Sequence, residues 1–97
     1  MVVKYSINVY NEDGSLAKTY GTDFVSTNTF IKAVKAMQEI EGETSVEKIV
    51  SKLATVVSYL IPSLDEATIM YGCDVADLIN LVKQVVAKIN GVEQPKN

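Results

Sequence analysis

The stretch YLIPSLDEATIMYG (Tyr59–Gly72) divides the second half of the chain into separate helical segments. Pro62 ends the helix before it, because proline lacks an amide hydrogen and clashes with the preceding turn. The Ser63–Glu66 segment is a capping-box pattern that predicts the start of a short helix, which the final glycine of the stretch ends. Asp74 is a typical N-cap residue and indicates the start of the last helix.

Two further helices are predicted before this stretch. Ser26 or Thr27 caps the first, and Gly42 ends it. The Thr44–Glu47 segment is another capping-box pattern and opens the second. Apolar residues recur at helical spacing in each segment, which is typical of helices with one buried face. Asn90-Gly91 ends the last helix, whose wide apolar arc consists of Val75, Leu78, Ile79, Leu81, Val82, Val85, Val86 and Ile89.

The beginning of the chain predicts a β-hairpin. Its first strand alternates polar residues with Val3, Tyr5, Ile7 and Val9. The Asn11–Ser15 segment (NEDGS) supplies the turn, with Gly14 able to take a positive φ angle. A second strand is predicted over Leu16–Phe24. An isolated hairpin is marginally stable, so this one is expected to pack on the helices or on another chain. The aromatic residues predicted for its core are Tyr5, Tyr20, Phe24 and Phe30.

Together these patterns predict an α+β fold that is mainly α-helical, with an N-terminal β-hairpin followed by a four-helix domain. The chain has 97 residues, which is enough for one domain with a modest core. We expect a single domain over residues 1–91 and a polar tail over 92–97. The expected elements are a hairpin at 3–24 and helices at about 27–41, 45–61, 64–71 and 75–89.

Composition argues against nucleic-acid and membrane partners. The formal net charge is −3, and all 9 basic residues are lysines scattered along the chain. Nucleic-acid-binding proteins usually cluster their basic residues and use arginine. The longest apolar pattern, Val46–Ile61, contains charged residues and is shorter than the about 20 residues that span a bilayer. The N-terminus lacks signal-peptide features, and the single Cys73 fits a reducing cytoplasm.

No catalytic site, cofactor or metal is expected. The chain has no histidine, which excludes Ser-His-Asp and Cys-His sites and the usual zinc sites. Cys73 precedes the Asp74 cap, where a helix N-terminus can lower a thiol pKa. Because it has no base as a partner, we interpret Cys73 as a half-buried structural residue. The chain is therefore predicted not to be an enzyme.

Apolar residues make up 47% of the chain, and its mean hydropathy is +0.14. A domain of this size leaves roughly a third of its unfolded-chain surface exposed. Some apolar surface should therefore stay outside, where a sizeable patch usually marks a partner. The short third helix and the outward side of the last helix are the best candidates. The predicted protein-binding surface consists of Leu64, Ile69, Met70, Tyr71, Ile79 and Val86.

Several short motifs resemble the tail assembly chaperones of long-tailed phages and Gram-positive prophages. In that family, a strand pair carrying lysine-threonine-tyrosine and phenylalanine-valine leads into a helix of the lysine-alanine-leucine type. The matching residues here are Lys18-Thr19-Tyr20, Phe24-Val25 and Lys32–Ala36. A long apolar helix, an acidic pair, a tyrosine-glycine stop and a closing amphipathic helix correspond to Val46–Ile61, Asp65-Glu66, Tyr71-Gly72 and Ala76–Ile89. The resemblance runs from about Tyr5 to Gly91, and Pro62 and Cys73-Asp74 depart from the family pattern.

The resemblance implies a chaperone rather than an enzyme. Such a protein binds the long tape measure protein and keeps it soluble until the tail tube polymerises around it. It acts in the cytoplasm of an infected or lysogenic bacterium and is absent from the mature virion. The implied partners are the tape measure protein, the tail tube protein as a second candidate, and further copies of the chain. The alternative is a small oligomeric adaptor or regulatory domain that binds one specific protein through the hairpin edge.

Overall fold

The computed structural model describes the backbone of residues 4–93 and the side chains of residues 4–87. Within this range the predicted α+β architecture, a β-hairpin followed by four helices, is confirmed. Val3, the Ile89 side chain and the end of the predicted tail at 94–97 lie outside the described residues. The elements are β1 (Tyr5–Tyr10), β2 (Leu16–Thr22), α1 (Thr27–Glu41), α2 (Val46–Leu60), α3 (Glu66–Gly72) and α4 (Val75–Glu93).

The turn fixes how the two strands of the hairpin pair. Gly14 has a φ angle of 90°, which glycine adopts at little cost because it lacks a Cβ atom. Asp13 Oδ1 accepts hydrogen bonds from the backbone N–H and the hydroxyl of Ser15, at 2.9 and 2.6 Å. The strands are antiparallel, with Val9 opposite Lys18 and a bulge immediately after Val9. This register directs alternate residues of β1 towards the helices.

The two strands of the hairpin are buried to very different extents. Tyr5, Ile7 and Val9 of β1 are buried, and β1 contacts both α3 and α4. In contrast, β2 is largely exposed and packs mainly against β1. The strand ends at Thr22, whose hydroxyl accepts the N–H of Phe24 at 3.1 Å as the chain turns away. Phe24 is consequently 69% exposed, and its predicted place in the core is wrong.

Side-chain caps begin the helices, and two of the predicted caps are confirmed. Ser26 Oγ accepts the N–H of Thr29 at 3.1 Å, and Asp74 Oδ1 accepts the N–H of Ala76 at 2.7 Å. In the other two helices the cap lies later than predicted. Ser45 rather than Thr44 caps α2, and Asp65 rather than Ser63 caps α3.

Hydrogen bonds just before each of these two helices explain the displaced caps. Glu43 Oε2 accepts the backbone N–H of the Ser45 cap at 3.0 Å. In the capping-box pattern Glu47 would accept the N–H of the cap, but here Glu43, two residues before the cap, takes that role. Before α3, the N–H of Leu64 donates to the carbonyl of Ile61 at 2.9 Å. This bond closes a tight turn around Pro62 and Ser63, and α3 starts only after that turn.

Helix α4 continues past the predicted stop at Asn90-Gly91 and ends at Glu93. A glycine inside a helix costs only about 1 kcal/mol relative to alanine. The buried face of α4 includes Leu81, Val82 and Val85, which are at most 2% exposed. The free energy gained by packing that face exceeds the free energy that Gly91 costs inside the helix. The predicted end near residue 89 is therefore wrong.

The hydrophobic core joins the hairpin to the helices. Its centre lies between α2 and α4, where Leu53, Val57, Val82 and Val85 are all 0% exposed. Helix α1 buries small side chains, Ala33 and Ala36, so its backbone can approach α2 closely. Leu64 and Ile69 enter the core from α3 and the turn before it, while Tyr20 and Phe30 pack at its edge.

The Asp65 cap should make stability depend on pH in the acidic range. Hydrogen bonds from the side chain and backbone of Thr68 hold the pKa of Asp65 below its ordinary value of 3.8. A carboxyl group with a lowered folded-state pKa contributes stability above its unfolded-state pKa and loses that contribution as the pH falls through the folded value. The Asp65→Asn variant keeps a good N-cap but cannot titrate. Its free energy of unfolding should therefore fall less than that of the wild type below about pH 4.

Urea denaturation at a series of pH values measures this difference. The Asp23→Asn variant removes an exposed carboxyl group outside any helix cap and is the matched control. It leaves the hydrogen bond between Asp65 and Thr68 in place, so it tests whether the loss of any one carboxyl group has the same effect. Equal pH dependence in the wild type and Asp65→Asn would contradict a role for the ionised cap.

Candidate protein-binding surface

The residues predicted to bind a partner lie in three different environments. Leu64 and Ile69 are each 1% exposed and belong to the core, so their predicted place on the surface is wrong. Ile79 and Val86 are partly buried and pack against the core from α4. Met70 and Tyr71 are exposed, and these two are available to a partner.

Helix α3 separates its apolar residues in this way because it is short and held at both ends. Its N-terminus is capped by Asp65, and its last residue, Gly72, lies directly against Val9 of β1. Consecutive helix residues point about 100° apart. With Ile69 directed into the core, Met70 and Tyr71 are carried round to the solvent side.

Three exposed apolar residues lie within six positions of one another in the sequence, at the junction of α3 and α4. Met70 is 49% exposed, Tyr71 is 93% exposed and Val75 is 55% exposed. We call Met70, Tyr71 and Val75 the Tyr71 surface. The sequence predicted Val75 only as a member of the wide apolar arc of α4 and did not include it in the binding surface. Its position directly after the Asp74 cap was a signal against burial, because that first turn lies at the end of the helix.

A shallow depression adjoins this surface where α3 meets the hairpin. Its volume is about 280 Å³, and its lining includes Tyr10, Glu12, Thr68 and Tyr71. Three exposed carboxylates belong to these elements: Glu12 lines the depression, Asp65 caps α3, and Asp74 follows α3. An apolar segment with neutral or basic flanks is therefore the best match to the Tyr71 surface.

A second exposed apolar region lies where β2, α1 and α2 approach one another. Phe24 is 69% exposed and Tyr59 is 50% exposed. Both line a depression of about 310 Å³ together with Leu60 and Pro62. We call it the Phe24 depression. Sequence reasoning missed it, because Phe24 continues the alternation of β2 and Tyr59 lies within a strongly apolar helix pattern.

Cys73 has the environment of a structural residue. It is partly buried between α3 and α4, which agrees with its predicted half-buried position. Burial, with a smaller contribution from the charge of Asp77, raises the pKa of the Cys73 thiol above its ordinary value. The thiol is therefore protonated at neutral pH and is a poor nucleophile.

Other kinds of site find no support in the described part of the chain. Among the side chains described, residues 4–87, no group of three or more histidine, cysteine, aspartate or glutamate residues is placed to hold a metal ion. None of the described helices is long and apolar enough to cross a membrane. Every buried side-chain nitrogen or oxygen described has a hydrogen-bond partner, so no unpaired polar group points to a missing ligand.

Comparison with known proteins finds no matching family model, no matching curated protein and no matching solved structure. Functional assignment therefore depends on the surface of the chain itself and on the motif resemblance.

Proposed function

We propose that this chain is a tail assembly chaperone that binds a tape measure protein and keeps it soluble during tail assembly. The observation that carries the proposal is the exposure of the Tyr71 surface: Tyr71 is 93% exposed, and Met70 and Val75 are each about half exposed. Exposed apolar patches on folded domains commonly mark protein-binding surfaces. The order of elements also supports the proposal, since the resemblance implies a strand pair, a helix, a long apolar helix, a short segment and a closing helix.

The side chains of the Tyr71 surface suit a loosely specific binder. Tyr71 offers a large rigid ring whose hydroxyl can stay in water. Met70 has a flexible, polarisable side chain that adapts to different apolar partners. Each contact is small, so one copy binds weakly, and many copies along a long client are needed to cover its apolar segments. The bound fraction then follows mass action and lowers the free client available for aggregation.

This mechanism needs no catalytic group. The proposed place of action is the cytoplasm of the bacterial host, before the tail tube closes around the client. The protein would leave at that stage and be absent from the mature virion. Its proposed partners are the tape measure protein, the tail tube protein and further copies of itself.

Co-expression with the tape measure protein of the same phage or prophage tests the proposal. The wild type should yield soluble client carrying several copies of this chain. The double variant Met70→Glu, Tyr71→Glu places charge on the Tyr71 surface and should leave the client insoluble. Stability should change little, since substitutions at exposed positions usually alter it by within about 0.5 kcal/mol. Soluble client with the double variant, in the same amount as with the wild type, would overturn the proposal.

Val46→Glu is the matched control for this experiment. Val46 is an exposed apolar residue, 71% accessible, at the opposite end of α2 from the connection to α3. The substitution adds one negative charge, against two in the double variant, at a helix N-terminus where a carboxylate is favourable. This variant should keep the client soluble. A loss of client solubility equal to that of the double variant would indicate a general effect of charge rather than binding at the Tyr71 surface.

The hairpin supports a second candidate, the adaptor domain. Only two strands pair in the described sheet, so β2 presents an unpaired outer edge, and most of its residues are exposed. An extended segment of a partner could add to such an edge as a further strand. The adaptor predicts one tightly bound partner and a defined small oligomer. In the co-expression experiment, insoluble client beside a discrete dimer of this chain would favour the adaptor.

A further inference from the structure

Helices α1 and α2 leave a groove between them on the outer side of the protein. The middle of the groove has a volume of about 240 Å³ and is lined by Lys32 and Lys35 of α1 and Lys52 of α2, among others. The Phe24 depression lies at one end. Lys32 connects the two parts, because its Nζ atom lies 4.4 Å from the ring centroid of Tyr59, which lines the depression. We call this continuous surface the α1–α2 groove.

The α1–α2 groove is basic, although the chain as a whole is acidic. Three lysines and Glu39 line its middle part, and Glu66 Oε2 accepts the hydroxyl of Thr55, another lining residue, at 3.1 Å, so lysines outnumber carboxylates there by three to two among the described residues. Lys52 Nζ pairs with Glu39 Oε1 at 3.2 Å, and Lys32 and Lys35 make no ion pair within 4 Å among the described residues. The formal net charge of the whole chain is −3. Positive charge concentrated in a groove raises the local concentration of anionic partners and speeds their binding.

An apolar end beside a basic middle favours a partner with the complementary pattern. Phe24 and Tyr59 offer ring surface to one large apolar side chain, and the lysines beyond them offer donors to carboxylates. The groove follows α1 over nearly its full length of 15 residues, roughly 20 Å of helix. That length suits an amphipathic helix of three to four turns lying between two helices.

We propose that the α1–α2 groove binds an acidic amphipathic segment of another protein. Its apolar side chain occupies the Phe24 depression, and its carboxylates contact Lys32, Lys35 and Lys52. This surface shares no lining residue with the Tyr71 surface, whose acidic surroundings would repel the same segment. The chain thus carries two binding surfaces of opposite charge. The groove goes beyond the proposed chaperone role, since it would serve an adaptor equally well.

The test uses the full chain labelled with ¹⁵N and synthetic helical peptides of about 14 residues. Each Glu peptide has one phenylalanine, placed at successive positions across the set, and glutamates on the same face. The matched Gln peptides replace every glutamate with glutamine. In NMR titrations, the best Glu peptide should shift amide signals along α1 and α2 and bind at least about tenfold more tightly than its Gln counterpart. Its binding should weaken between about 0.05 and 0.3 M NaCl.

Substitutions in the groove distinguish the contribution of its basic middle to binding from that of its apolar end. Lys35→Glu should weaken binding of the Glu peptide by about tenfold, because it replaces an attraction with a repulsion. Phe24→Ser should weaken the Glu and Gln peptides by the same factor, since it removes only the apolar contact. Lys83→Glu makes the same charge change at an exposed lysine of α4 and should leave binding within about twofold of the wild type. The dispersion of each NMR spectrum shows whether the variant is folded.

Several results would overturn the proposal. These are equal binding of the Glu and Gln peptides, no binding by any Glu peptide, shifts centred on the Tyr71 surface, and an equal effect of Lys83→Glu and Lys35→Glu. If raising the protein concentration alone shifts the groove signals, the occupant is a second copy of this chain and the proposed partner is wrong.

Discussion

The variant Leu64→Ala is expected to lower the free energy of unfolding by about 2–5 kcal/mol. Leu64 follows the turn around Pro62, and its side chain is 1% exposed within the core. Truncation removes a buried isopropyl group and leaves a cavity. The hydrogen bond from the Leu64 N–H to the Ile61 carbonyl holds the turn, so the backbone cannot shift to fill that cavity. Urea denaturation followed by far-ultraviolet circular dichroism measures the change, with the slope of the transition as a check for two-state behaviour.

Tyr71→Ala is the matched comparison for Leu64→Ala. Both residues belong to the apolar set predicted to form the binding surface, but Tyr71 is 93% exposed. Its truncation should change the free energy of unfolding by no more than about 0.5 kcal/mol. Similar destabilisation by the two variants would mean that the chain buries Tyr71 or exposes Leu64. Either result would contradict the separation of core and surface described for α3.

The order of elements could be predicted from the sequence because each boundary has a strong local signal. Pro62 cannot continue α2, Asp74 offers its carboxylate to the first amides of α4, and Gly14 permits the hairpin turn. These signals act within a few residues of the chain, where the sequence alone fixes the geometry. The hairpin and the helices were therefore predicted in the correct order and close to their observed bounds.

The surface could not be predicted in the same way, since it depends on contacts between distant residues. Helix α3 has only 7 residues, too few for a clear periodicity, and its orientation follows from the contact of Gly72 with Val9 of β1. The excess of apolar side chains indicated that some must stay outside, but not which. The same limit explains Phe24: β2 packs mainly on β1, so no helix covers the residue that follows its end.

The contact of Gly72 with Val9 orients α3 and leaves no room for a larger side chain at position 72. Gly72→Ala should destabilise the fold by about 1–2 kcal/mol, which is the cost of overpacking less the small gain in helix propensity. A Cβ atom at Gly72 would lie 2.7 Å from Val9 Cγ1 and 3.4 Å from the carbonyl oxygen of Tyr10. Val9 is buried and β-branched, so its side chain has few alternative rotamers. The overlap is relieved only if α3 moves away from β1.

Gly42→Ala and a double-mutant cycle distinguish this overlap from a general effect of glycine replacement. No atom lies within 4 Å of a Cβ built on Gly42, and its φ angle of −101° suits alanine. Gly42→Ala should therefore leave stability unchanged or raise it by up to about 1 kcal/mol through the unfolded state. In the Val9→Ala background the overlap disappears, so Gly72→Ala should cost at least about 0.5 kcal/mol less than in the wild type. Additive effects would mean that α3 does not rest on Val9, and the exposure of Tyr71 would then lose its structural explanation.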